Sequence, residues 1–291
     1  MTFTTRFAPS PTGPLHLGHA YSAIFAHDMA RAQGGRFLLR IDDIDQSRAR
    51  PEWEAQIYDD LAWLGVHWDL PVRRQSDHLQ EYTAALHALV QSGAVYPCAC
   101  NRRDIAAAAS APQEGQPAFG PDGRIYPGTC RGRAFDDRKP SDALRYDLRH
   151  ATDVRLPAFT ETGPAQAGTH TVTADALLTR VGDPVLARPD MAASYHFSVV
   201  LDDAACGVTH VVRGEDLFEA TFLHCFLQST LGLHPPIYHH HRLIRDASGK
   251  RLAKRDDARA IAKFRADGAT PGDIRKMVGL PPFSGLKNPR G

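Results

Sequence analysis

Long apolar runs are missing. Nowhere does the chain approach the roughly 18 consecutive apolar residues of a membrane-spanning helix, so no span is expected. The opening residues MTFTTRFAPS carry no apolar stretch after Arg6. They do not read as a secretory leader, and a cytoplasmic location is expected. Cysteine is sparse, with five residues at positions 98, 100, 130, 206 and 225. A small odd number argues against a disulfide framework and for a reducing compartment. Excess charge is lacking too: 34 Lys and Arg face 33 Asp and Glu, a formal net charge of +1. The whole molecule is therefore no polyelectrolyte, and any surface for nucleic acid must be local. There is no internal repeat.

What is present is an ordinary globular composition, 43% hydrophobic and 23% charged over 291 residues, enough for one large domain or two smaller ones. TTRFA reads as a short strand running into a Pro/Gly loop. From Leu17 to Ala32 apolar residues recur at helical spacing and stop at Gly34-Gly35. RFLLRID is a buried strand ending in the acidic cluster Asp42, Asp43 and Asp45, and 51–64 and 79–91 read as amphipathic helices. Strand, helix, strand is the rhythm of a parallel α/β sheet. The rhythm breaks over 96–140, which holds three of the five cysteines and little apolar periodicity. Alternation is expected to resume in ALRYDL, SYHFSVVLDD and VTHVVRGED, followed by a helix over 217–231 and a strand in PIYHHHRLI. Two short helices and a fraying tail are expected last.

Three constellations carry chemistry. APSPTGPLHLGH, from Ala8 to His19, shapes a strand-to-helix turn with His16 and His19 at the helix start. A helix N-terminus favours phosphate, and two imidazoles could add donors; a helix start with plain surface histidines fits the spacing equally well. KRLAKRDD, at 250–257, lies in a stretch from His241 to Arg265 with nine Lys and Arg against three Asp. Such a loop could close over phosphates, although an isolated basic run is more often a solvated loop. Cys98, Cys100 and Cys130 supply three thiolates, a set suited to a closed tetrahedral Zn²⁺ site with its fourth place open. Three successive histidines, His239 to His241, alternate faces on a strand and so chelate poorly together; they read as strand residues near a nucleotide pocket. Cys206 and Cys225 read as core.

RFAPSPTGPLHLGHA resembles the HIGH segment of class I aminoacyl-tRNA synthetases, in the form used by their glutamyl and glutaminyl branch. RLAKR at 251–255 is similar to that branch's KMSKS-type loop, with LRIDDIDQSR and HVVRGEDL in order between them. The resemblance runs from about Arg6 to Asp257. It implies a Rossmann-like, doubly wound parallel-sheet catalytic core with a zinc-stapled insertion and a short helical C-terminal part. Its divisions would be 1–95 and 141–257 for the two halves of the core, 96–140 for the insertion and 258–291 for the helical segment and tail.

The same resemblance implies activation of L-glutamate by ATP, with Mg²⁺, to glutamyl-adenylate, then transfer to RNA. His16, His19 and Lys254 would be catalytic and, with Pro9 and Gly18, would contact ATP. Arg6, Ala8, Ser10, Asp42, Tyr195 and Arg213 match the glutamate site: the arginines as carboxylate clamps, Asp42 for the ammonium, Ser10 and Tyr195 for their hydroxyls. Tyr126 is implied as the fourth zinc ligand beside Cys98, Cys100 and Cys130. The chain departs from the branch at Asp42, where Glu is commoner, and at Arg251 and Ala253, where the loop more often reads close to KLSKR.

Bacterial glutamyl-tRNA synthetases continue past this loop into a helical anticodon-reading domain, whereas little chain follows Asp257. That brings the resemblance to the members of the branch that lack this domain. They attach glutamate to queuosine, the modified wobble base of the aspartate tRNA. The partners expected are therefore glutamate, ATP and queuosine-containing tRNA(Asp), with the chain a monomer. The alternatives are a shortened enzyme charging the 3′ end of tRNA(Glu) and a non-catalytic paralogue binding RNA or amino acid. Intact His16, His19 and Lys254 count against the second.

Overall fold

Two short, buried strands, β1 (Thr4–Phe7) and β2 (Arg36–Ile41), pair in parallel with Thr4 opposite Arg36 and Phe7 opposite Leu39. A parallel pair requires a crossover, and α1 (Leu17–Ala32) supplies it. Small side chains at Ala20, Ala23 and Ala26 line the buried face of α1, and Thr5 Oγ1 donates to the Ala26 carbonyl at 2.8 Å. After α2 (Pro51–Trp63), β3 (Asp69–Arg74) adds to β2 in parallel, and α3 (Leu79–Gln91) follows. The computed structural model describes residues 1–108, 119–121, 123–153, 156–245 and 259–282.

The middle of the chain comprises β4 (Val95–Cys98), α4 (Arg102–Ala108) and the two-residue strands β5 (Phe119–Gly120) and β6 (Gly123–Arg124). Then come β7 (Ala143–Tyr146), β8 (Ala158–Glu161), β9 (Gly168–Thr171), α5 (Ala174–Arg180) and β10 (Val185–Ala187). β7 pairs antiparallel with both β4 and β10. Hydrogen bonding thus joins the start of the cysteine-bearing segment to strands on its C-terminal side.

The chain then returns to the parallel sheet through α6 (Tyr195–Ala205), β11 (His210–Gly214), α7 (Phe218–Thr230) and β12 (Ile237–His241). β11 and β12 are parallel, and β12 is parallel to β8, which carries β9 antiparallel at the edge. Thr209 N donates to Thr4 O at 3.0 Å and Arg6 Nη1 to Val212 O at 3.3 Å, so β11 runs beside β1 in the same direction. Phe7, Ile41, Gly214 and His241 consequently end on one rim. The crevice outside the carboxyl ends of such strands is where α/β sheets bind ligands. Two short helices close the described chain, α8 (Ile261–Ala266) and α9 (Pro271–Met277). Arg275 on α9 binds Asp28 on α1 at 2.5 Å. This is the α/β core with a parallel sheet and a helical C-terminal part that the sequence suggested.

One element differs from the expectation. SYHFSVVLDD, read as a resumed alternation, is helix α6. Its residues 196–200, 202 and 203 are all buried, so the helix has no polar face to expose a 3.6-residue period. Periodicity cannot separate a short buried strand from a buried helix. Polar Ser198, Asp202 and Asp203 mimic alternation because they have partners inside the protein, Gln75 for Ser198 and Arg6, Arg40 and Arg73 for the aspartates.

Asp60 on α2 is fully buried, and neither carboxylate oxygen has a hydrogen-bond partner among the described residues. Burial, then the charge of Asp59, raises its pKa to about 6, with Arg265 opposing. A raised carboxyl favours folding only where it is protonated, so its contribution is present below the unfolded value and is lost as pH rises through about 6. Asp60→Asn should therefore stabilise the fold at pH 7.5 by roughly 1–3 kcal/mol, and the gain should shrink towards pH 4. Denaturant titrations at the two pH values measure it; an equal effect at both would assign it to something other than charge.

Candidate active site

The Pro/Gly loop leaves β1 and enters α1 under backbone control. Pro9 O accepts from Asp42 N and Pro11 O from Arg50 N, each at 3.0 Å, which pins the loop to the chain beyond β2. His16 is the N-cap of α1. Its Nδ1 accepts from the backbone N–H of Gly18 at 3.1 Å and of His19 at 3.4 Å, while His19 Nδ1 accepts from His16 N at 3.2 Å. This is a capping box made from two imidazoles, which stack with centroids 3.7 Å apart. Because both Nδ1 atoms accept, each neutral ring carries its proton on Nε2. A Cβ on residue 18 would lie 3.0 Å from His16 Cε1, so glycine there lets the ring close over the helix end.

A cleft of about 370 Å³ opens at this helix end, on the carboxyl rim of the strands. Among the residues expected for nucleotide, His16, Gly18 and His19 line it; among those expected for the amino acid, Arg6, Ala8, Asp42, Tyr195 and Arg213 do. Pro9 and Ser10 are not among the lining residues; Pro9 is buried and Ser10 is exposed. Lys254, Arg251 and Ala253 lie outside the described residues. The chain beyond them meets α1 again, since Ile261 N donates to Leu15 O at 2.8 Å and Ala260 bridges His16.

The floor of the cleft is charged and buried. Arg6 binds Asp203 through Nε at 3.0 Å and Nη2 at 3.2 Å. Arg40 donates to the same carboxylate at 2.6 Å and to Asp42 at 2.7 Å. Asp202 receives Arg73, Gln75 and Tyr82, each at 2.8 Å. Burial pushes Asp42 up to about 6, against the pull of Arg40. Asp203 is held below the usual carboxylate range because Arg6 and Arg40 outweigh its burial. Sequence reasoning missed Arg40, Asp202 and Asp203. The one available signal was a pair of acidic residues closing an otherwise apolar run.

Arg213 is different. Its Nε donates to His240 Nε2 at 3.0 Å, Nη1 to His224 Nδ1 at 2.9 Å, and Nη2 to Thr221 Oγ1 at 2.8 Å and Leu217 O at 3.2 Å. All four partners are neutral acceptors. A guanidinium has five N–H groups, so one, on Nη1, has no hydrogen-bond partner among the described residues. The bidentate clamp expected from the sequence becomes a cation with a single N–H to offer.

Outside the lining of the cleft, Cys98, Cys100 and Cys130 bring their sulfurs within 4.8 Å of one another. The Tyr126 hydroxyl lies 3.4 Å from Cys98 Sγ and 3.5 Å from Cys100 Sγ, and accepts from Cys130 N at 2.8 Å. A tetrahedral ion at about 2.3 Å from each sulfur requires donor separations of this order, so the residues fit a small ion such as zinc.

The model of the class I tRNA synthetases (E and Q), catalytic domain, matches residues 2–284. The glutamyl-Q tRNA(Asp) synthetase of Rhodobacter capsulatus is 63% identical over 279 residues, covering 95% of this chain and 99% of its own. The chain belongs to the glutamyl-Q tRNA(Asp) synthetases of class I. It is thus an aminoacyl-tRNA synthetase, a ligase. The glutamyl-Q tRNA(Asp) synthetase of Nitratidesulfovibrio vulgaris is 40% identical, with 94% of this chain and 85% of that one covered. In fold, the glutamate-tRNA synthetase of Elizabethkingia anophelis superposes with a TM-score of 0.73 at 23% identity. There the match covers 96% of this chain and spans 61% of the other. No helix among the described residues is long and apolar enough to cross a membrane.

The cysteine cluster predicts a measurable ion. Elemental analysis of protein purified without chelator should find one metal per chain, and replacing Cys98 and Cys100 by Ser should remove it. A metal-free unaltered protein would reject the site.

Proposed function

We propose that the protein activates L-glutamate with ATP and transfers it to the queuosine base in the anticodon of tRNA(Asp). The observation that carries this reading is the full-length match to a glutamyl-Q tRNA(Asp) synthetase, supported by a cleft with both charge signs at a helix N-terminus. In the first step an α-carboxylate oxygen of glutamate attacks the α-phosphorus of ATP and pyrophosphate leaves. In the second, a hydroxyl on queuosine attacks the acyl carbon and AMP leaves with the bonding electron pair. The task for the protein is positioning and charge stabilisation.

In this reading the α1 N-terminus and the Nε2–H groups of His16 and His19 meet the phosphates, with Lys254 adding a cation and Mg²⁺ accompanying ATP. Asp42 takes the α-ammonium. Arg213 reads the side-chain carboxylate with its remaining N–H, and Tyr195 adds its hydroxyl. Arg6 contributes charge and its two N–H groups that Asp203 and Val212 leave over. Ala8 and Gly18 keep the walls low. Pro9 and Ser10 act by shaping the loop. Zinc, held by Cys98, Cys100, Tyr126 and Cys130, would have a structural role.

The acceptor decides the matter. Labelled glutamate should go to tRNA(Asp) that carries queuosine, and the ester should survive removal of the 3′ nucleotides. Label lost with the 3′ adenosine would mean charging of the acceptor end, and absent glutamate-dependent ATP–pyrophosphate exchange would mean a non-catalytic protein.

Asp42 sets a pH dependence. Its carboxylate attracts the ammonium only when ionised, and its pKa lies near 6. Since kcat/KM reports groups of the free enzyme, kcat/KM for glutamate should fall as pH drops through about 6. Asp42→Asn should lower it by at least about tenfold at pH 7.5 and flatten the profile. A variant that keeps the inflection would exclude Asp42 as its source.

A further inference from the structure

Behind Arg213 lies a chain of buried side chains that the proposed reaction does not use directly. Glu161, on β8, accepts from His240 N at 2.9 Å, from Gly163 N at 2.5 Å and from the Nδ1 side of the His240 ring. A Cβ at residue 163 would come within 2.2 Å of the His240 carbonyl, so the turn needs glycine to bring its N–H onto Glu161. His240 then faces Arg213 with Nε2. On the other side, His224 presents Nδ1 to Arg213, and its Nε2 lies 2.9 Å from His196 Nδ1. Glu161, His196, His224 and His240 are each at most 5% exposed.

An arginine only donates. Each imidazole nitrogen facing it must therefore be bare, which places the proton of His240 on Nδ1, towards Glu161, and that of His224 on Nε2, towards His196. We propose that His240 and His224 are positioning residues, neutral acceptors that hold Arg213 so that one N–H and an uncompensated charge face the substrate, selecting a side-chain carboxylate over a carboxamide. The proposal rests on Arg213 contacting the amino-acid substrate. Unlike Arg6 and Arg40, Arg213 has no carboxylate within ion-pair distance among the described residues. A carboxylate ligand would supply that charge, whereas a carboxamide would leave the buried cation without it.

Both rings are kept neutral. Burial, then Arg213, His196, Arg6 and His240, hold His224 well below the ordinary histidine range. Burial also lowers His240, with Arg213 and His239 adding to it; Glu161 opposes. Glu161 itself is held down to about 2 by its three hydrogen bonds, against the effect of burial. It stays ionised and fixes the His240 tautomer over the working range.

The test compares His240→Met, which fills the space without an equivalent acceptor, with His240→Gln, which restores a carbonyl oxygen. In glutamate-dependent ATP–pyrophosphate exchange, His240→Met should raise KM for glutamate by about tenfold and erode the preference for glutamate over glutamine to a similar degree. KM for ATP should stay within about twofold, and His240→Gln should return to within about threefold of the unaltered enzyme. Equal behaviour of Met and Gln, or a parallel rise in the ATP constant, would overturn the proposal.

Arg213→Ala separates it from the reading beneath. If that variant leaves the glutamate constant unchanged, the substrate contact is wrong; if it raises the constant while Met and Gln behave alike, only the positioning role is wrong. Should His240→Met fail to fold, nitrogen NMR of histidine-labelled unaltered protein decides. Bare Nε2 on His240 and bare Nδ1 on His224 between about pH 6 and 8 are expected, and a proton on either overturns the assignment.

Discussion

The carboxylate of Asp203 holds two arginines from two different strands, and the floor of the cleft depends on it. Arg6 comes from β1 and Arg40 from β2, while Asp203 projects from α6, far away in sequence. Removing one partner of such a buried set leaves an uncompensated charge, at a cost of about 3–5 kcal/mol. The network therefore selects one arrangement of strands and helix. Asp202, one residue earlier, does the same for Arg73 on β3 and for Tyr82 and Gln75. Two adjacent aspartates thus tie three neighbouring strands to one helix, and Asp42 is presented on the rim through Arg40.

This arrangement explains which parts were legible in the sequence. Short-range signals translated directly: α1 stops before its glycines, the Pro/Gly loop turns at the helix mouth, and the cysteines at 98, 100 and 130 converge. Each of these is decided by residues close together or by chemistry with few alternatives. Helix α6 was not legible because its polar residues face inward, its two aspartates to distant arginines, and no local period records that. Glu161 was hidden for a related reason. It lies in AFTE, a short strand with no motif, and gains its importance only from β12 arriving beside it. Arg6 was read as a residue for substrate alone, whereas most of its donors serve the protein.

Histidine carries much of this site, and its value is the ability to accept a hydrogen bond without bringing charge. Around Arg213, aspartate in place of His224 or His240 would neutralise the cation and weaken its pull on an anionic ligand. A neutral imidazole holds the guanidinium and leaves its charge for the cleft. The backing carboxylate, Glu161, sits one ring further away, where it sets the tautomer without pairing directly.

The same reasoning accounts for the cap of α1. Capping boxes favour Ser or Thr with Glu or Gln, and a glutamate at His19 would satisfy the His16 N–H equally well. It would also set a full negative charge at the mouth of a helix whose dipole attracts phosphate. Two stacked imidazoles close the box through Nδ1 and carry their protons on Nε2 of the same rings. Capping and phosphate recognition would otherwise compete for this helix end. In the proposed reading, dividing the two ring nitrogens between them lets one pair of side chains do both.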